Sequence, residues 1–253
     1  MKDKRIHYDT YPWRLRLIHG GGGHIKIERK GRWVQIDPVE RPETDAIVVL
    51  TSAVAERVQA TWASAKAGVK PTVLAADALL NWVQEAGPVQ ALGTPALVDG
   101  LRITTLPYQA LRTPPWELLR MGPAKAMRQL AGQIRLPESP PQIVEILFED
   151  GSRLLHLDLS IHRETPSEWL DQVVSQFAEP EWLLVGQPMG EADALVQVLP
   201  RFKPRRVLVA ELLNTERRRL GLPVELVTIT RDRLLNAGLE AHVFAPQASY
   251  RFE

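Results

Sequence analysis

"DAIVVLTSAVAERV", residues 45–58, changes character halfway along. Ile47 to Leu50 is a short apolar run that reads as a buried strand, and Thr51 to Arg57 reads as the turn and helix start that follow. The Ala-rich stretch Ala53 to Ala67 has good helix propensity, Gly68 is placed to end it, and Pro71 opens a strand at Thr72 to Ala75. In α/β proteins the carboxyl end of such a strand is where ligands and catalytic groups gather. Here that slot carries Ser52, Val54, Glu56 and Arg57, with no histidine and no cysteine.

Upstream lie three strand-like segments, Arg14 to Ile18, His24 to Glu28 and Arg32 to Asp37, the last two joined by a tight turn at Lys30-Gly31. Downstream come a short helix in "AADALLNWVQEAG", then "VQALG", "PALVDG" and "LRITTLP" as further short strands. The second half repeats the order. "QIVEILFEDGSRLLHLDLS" is a hairpin signal turning at Asp150-Gly151. A helix follows over Ser167 to Phe177, then the buried strand "WLLVG", a helix from Glu191 to Leu199 and the strand "RRVLVAE". "VELVTI", a helical turn near Arg231 to Ala237, "LEAHVFA" and "SYRF" close the chain, with "VELVTI" read as a strand. Each half gives strands first and helices after, which predicts two sheets face to face with helices outside, a four-layer αββα sandwich of α/β class. The expected organisation is a single domain over 1–253 with an insertion at about 107–141, rich in proline.

Composition excludes several classes. The chain of 253 residues is 45% hydrophobic and 24% charged with net charge +1, so bulk electrostatics demands neither nucleic acid nor a lipid surface. Cysteine is absent, which removes disulfides, thiolate nucleophiles and sulfur-ligated zinc. No secretory h-region opens the chain and no apolar run approaches the ~18 residues of a membrane span, so a cytoplasmic location is expected.

The order "LIHGGGGHIKIERKGRWVQIDP … DAIVVLTSAVAERV … LVDGLRITTLP … VEILFEDGSRLLHLD … EWLLVGQPMGEADALVQVLPRFKPRRVLVAE" resembles the metallo-β-lactamase superfamily. Its nearest branch is the small metal-dependent hydrolases related to the ascorbate-lactonase type. Ile36-Asp37-Pro38, and Met189-Gly190 through Asp193 ending in Lys203-Pro204, carry the most specific matches. In that family the turn after the fourth strand carries H-x-H-x-D-H, whose side chains bind metal and activate water. The resemblance lays this motif on Ser52, Val54, Glu56 and Arg57. It lays the family's next histidine near Tyr108 or Gln109, its bridging aspartate near Asp158, where the preceding glycine is missing, and its final histidine on Glu211. Every histidine ligand is replaced, so the resemblance implies a degenerate member with an emptied metal site and no metal cofactor.

Four other features compete for a role. "HGGGGH", His19 to His24, has the look of an oxyanion-hole loop, but no G-x-S-x-G elbow accompanies it, and a glycine-rich turn is the simpler reading. "HLDLSIH", if a strand, puts His156, Asp158, Ser160 and His162 on one face; with His19 and His24, His156 and Asp158 form the candidate residual polar site. Arg201, Lys203, Arg205, Arg206, Arg217, Arg218 and Arg219 form a late basic cluster without interleaved aromatics. Trp116, Leu118, Leu119 and Met121 gather apolar groups inside the insertion and are the candidate partner surface.

The function these residues point to is a catalytically inactive metallo-β-lactamase-fold protein that binds, scaffolds or assembles, with a protein partner or self-association. A metal-dependent hydrolase with a relocated or atypical site, and a nucleic-acid-binding module, stay open as alternatives. Near-neutral charge argues against the latter.

Overall fold

The computed structural model describes residues 15–21, 23–68, 70–93, 95–111, 137, 139–214, 217, 218 and 221–252. The candidate partner surface Trp116, Leu118, Leu119 and Met121 lies outside them.

The run that opened the reading is strand β4 (Ile47–Leu50), buried at every residue and alternating between two cores. Ile47 and Val49 point between the sheets, whereas Val48 and Leu50 pack with Val58 and Leu79 of the covering helices. Strands covered on both faces read as continuous apolar runs, and this one does so for that reason. Helix α1 (Ala55–Lys66) follows, then β5 (Thr72–Ala75) and α2 (Asp77–Val83).

Among the described residues the first sheet has the order β14-β1-β2-β3-β4-β5-β6. Strands β1 (Leu15–Gly21), β2 (His24–Arg29) and β3 (Arg32–Ile36) run antiparallel beside β14 (Ser249–Phe252). From β3 through β4 and β5 to β6 (Val89–Ala91) the pairing is parallel. The second sheet mirrors it, with order β13-β12-β11-β10-β9-β8-β7. Strands β7 (Ala96–Val98), β8 (Leu101–Pro107), β9 (Gln142–Leu147) and β10 (Arg153–His156) are antiparallel. Strands β11 (Trp182–Gly186), β12 (Arg206–Ala210) and β13 (Ala241–Phe244) continue parallel. Helices α3 (Ser167–Gln176), α4 (Ala192–Val198) and α5 (Val227–Asn236) cover its outer face through Val173, Leu195 and Leu234. The layers are therefore helix, sheet, sheet, helix, as expected.

The tight turn expected at Lys30-Gly31 is present, and a second of the same kind joins β7 and β8. Lys30-Gly31 and Asp99-Gly100 both have two positive φ angles, the I′ geometry that matches strand twist.

Two expectations are corrected. "HLDLSIH" is not a strand throughout: β10 stops at His156, and Asp158 turns the chain with φ +49. Leu155, Leu157 and Ile161 all reach the outer core, so the alternation served a turn as well as a strand. "VELVTI" is not a strand either, because its last residues begin α5, where Val227, Thr230 and Leu234 are buried at helical spacing.

Candidate functional site

Strand β3 ends by presenting Asp37, whose N–H donates to the Val49 carbonyl of β4 at 2.9 Å. Its carboxylate is buried and fully engaged. Oδ1 accepts from the Thr51 N–H at 2.8 Å, while Oδ2 accepts from the Thr51 hydroxyl and from Arg57 Nη1 at 2.6 Å. Arg57, near the start of α1, also donates to the Ser52 hydroxyl, and its side chain is 14% exposed. Burial raises the Asp37 carboxyl above its usual range, and the Arg57 guanidinium opposes that shift.

The glycine turn between β1 and β2 closes one side. A Cβ on Gly20 would sit 2.5 Å from His24 Nδ1, and one on Gly23 would sit 2.9 Å from Arg57 Nη2. Glycine is required there because an imidazole and a guanidinium fill the space. His19 Nδ1 accepts the Gly21 N–H at 2.9 Å, which leaves the ring proton on Nε2.

The second sheet supplies the other wall. Tyr108, just after β8, donates its hydroxyl to Asp158 Oδ2 at 2.6 Å. Burial raises both groups, Tyr108 well above its usual value, and the neighbouring Asp158 carboxylate pushes the tyrosine in the same direction. His156 feels the charges of Asp37 and Arg57, and His19 feels His156. Burial is the main cause that lowers His19, His24 and His156 to about 4, so all three are neutral near pH 7. Neither ring nitrogen of His156 has a hydrogen-bond partner among the described residues.

Of the candidate residual polar residues, His24, His156 and Asp158 feel the Arg57 charge, and His19 feels that of His156. The other residues laid on the family's motif divide. Ser52 and Arg57 face inward, Val54 and Glu56 are exposed, and Gln109 is exposed with only its backbone carbonyl engaged, to His162 Nε2 at 2.9 Å. Tyr108, not Gln109, enters the site. Glu211 pairs with Arg218 at 3.5 Å. The late basic residues are largely paired: Arg201 with Asp171, Arg205 with Glu181 and Arg206 with Glu240.

The donor set does not fit a metal ion. Ser52 and Arg57 hydrogen-bond each other, Val54 has no donor atom, and the Asp37 oxygens are spent on Thr51 and on a fixed positive charge. Among the described residues no group of three or more His, Asp or Glu side chains is placed to hold a metal.

No protein-family profile matches the sequence, and no curated protein matches it either. Solved structures do. Igni18, a metallo hydrolase from Ignicoccus hospitalis, superposes with TM-score 0.65 at 16% identity, covering 94% of this chain and 98% of its own. The chain has the metallo-β-lactamase fold. An isothiocyanate hydrolase from Delia radicum gut bacteria gives 0.57 at 12% identity, covering 94% and 99%. CmlA, a diiron β-hydroxylase from Streptomyces venezuelae, gives 0.64 at 10%, covering 96% of this chain and 55% of its own. In this metallo-β-lactamase fold the cluster around Arg57 sits at the carboxyl ends of β3, β4 and β10, where the topology gathers polar groups.

Thr51 escaped the sequence reading, and Asp37 was marked there only as part of Ile36-Asp37-Pro38 with no site role, because the Asp37-Arg57 contact spans 20 residues. The one available signal was an acidic residue followed by proline at the close of a buried strand.

Proposed function

We propose that this chain keeps the metallo-β-lactamase fold as a binding or assembly subunit and no longer performs metal-dependent hydrolysis. The observation that carries the reading is Arg57, bound to Asp37 and Ser52 in the slot that the resemblance assigns to metal ligands. A guanidinium is charged at every physiological pH, so it repels a divalent ion where an imidazole would ligate one. Without metal-bound water the hydrolytic nucleophile of such enzymes is missing. The partner half of the reading rests on the apolar residues of the insertion, Trp116, Leu118, Leu119 and Met121. No helix among the described residues is long and apolar enough to cross a membrane.

A second reading keeps metal-dependent hydrolysis at a relocated or atypical site. Its support is the neutral His156 with both ring nitrogens open beside Asp37 and Arg57. One experiment separates them. The purified protein is assayed on a lactone, a phosphodiester and an isothiocyanate, with and without zinc, manganese or iron. It is also weighed in solution beside a Trp116→Ser, Leu119→Ser variant. No turnover, with a wild-type oligomer or complex that the variant loses, is the expected result. Turnover that His156→Ala abolishes would replace the first reading with the second.

A further inference from the structure

We propose that Arg57 is the built-in cation of this site, a guanidinium tethered through α1 that holds Asp37 and Ser52 in place. The proposal rests on the metal-free reading above and gives it a mechanism. The Asp37 carboxylate is buried, and the charge of the half-buried Asp158 from the other sheet acts on it. Like charges at close range in a dry site repel, and a folded chain tolerates them only with a cation nearby or by protonation. Arg57 acts on both carboxylates, and it is itself largely buried.

Its placement is built rather than incidental. Nη1 reaches Asp37 Oδ2 at 2.6 Å and the Ser52 hydroxyl, so one nitrogen ties the end of β3 to the turn after β4. The other terminal nitrogen lies where a side chain on Gly23 would begin, so the glycine turn between β1 and β2 is hollowed to receive it. Three chain segments therefore close on one guanidinium. A metal ion does the same job by coordination; here a planar fork of fixed charge does it by hydrogen bonds. The cation comes with the chain, so the arrangement needs no metal supply.

The test uses the full chain and its melting temperature. Arg57→Met removes the charge with little loss of volume, Arg57→Lys keeps the charge, and Asp37→Asn removes the facing carboxylate. The expected order is Arg57→Lys above Arg57→Met, with Asp37→Asn restoring part of what Arg57→Met loses. Methylguanidinium chloride should raise the melting temperature of Arg57→Ala above that seen with sodium chloride at equal ionic strength, and leave wild type unmoved. Equal losses in the Lys and Met variants, or a double variant worse than Arg57→Met, would overturn the proposal. Should Arg57→Ala fail to fold, the Lys, Met and double variants decide alone. Metal found in the wild-type protein would instead overturn the function reading, so the two failures are distinct.

Discussion

His156 ends β10 with a ring that is 1% exposed and feels the charges of Asp37 and Arg57. Burial holds its pKa at about 4 against an ordinary 6.5. The sign follows from proton binding. Between those two values the unfolded chain binds the proton and the folded chain does not. Stability is therefore complete above 6.5 and is lost as pH falls towards 4. A shift of this size corresponds to about 3 kcal/mol for the one residue. Asp37 and Asp158, raised by burial, work the other way, favouring the folded state at low pH and losing that contribution as pH rises. Denaturant unfolding of His156→Leu at a series of pH values should show a shallower acid loss than wild type, by about 3 kcal/mol between 6.5 and 4. Parallel profiles for the two proteins would mean that His156 is not buried in its neutral form.

At the scale of the element, the turn between β1 and β2 makes a separable claim. Gly20 is glycine because the His24 ring occupies the space of a side chain, whereas Gly21 has open space and a φ of +91. Gly21→Ala should cost only backbone strain, about 1–3 kcal/mol, and leave the His24 imidazole signals in place. Gly20→Ala should cost a similar 1–3 kcal/mol through overpacking and should shift those signals, read by NMR of the histidine rings. Unmoved His24 signals in Gly20→Ala would contradict the packing described. The same scale explains what the sequence could show. Strands β4, β11 and β12 were legible because both faces are covered, so apart from Arg206 at the start of β12 their residues are apolar and buried. "HLDLSIH" misled because Leu157 and Ile161 belong to the outer core from within a turn, copying the period of a strand. "VELVTI" misled because β-branched residues begin a helix whose buried positions are Val227, Thr230 and Leu234. The motif slot at residues 52–57 was legible by position, yet its partner Asp37 comes from another strand, and only the folded sheet brings the two together.

Across the whole molecule, the cores meet the site only at its edges, where Tyr108 belongs to the outer core and His19 packs on Phe244. The inter-sheet core and the two helix-facing cores are apolar throughout, from Ile36 and Leu184 to Leu79 and Val209. Among the described residues these cores are built from side chains that need no bound ion, so the proposed loss of metal chemistry would leave the fold in place. Where folding energy is coupled to a metal, a chelator lowers the melting temperature; where it is not, the chelator does nothing. The direct measurement is elemental analysis of the full-length protein, purified without added metal and dialysed, alongside melting with and without chelator. The account predicts substoichiometric zinc, iron and manganese and an unchanged melting temperature. One equivalent of metal that survives dialysis, and that disappears with His156→Ala or Asp158→Ala, would contradict it.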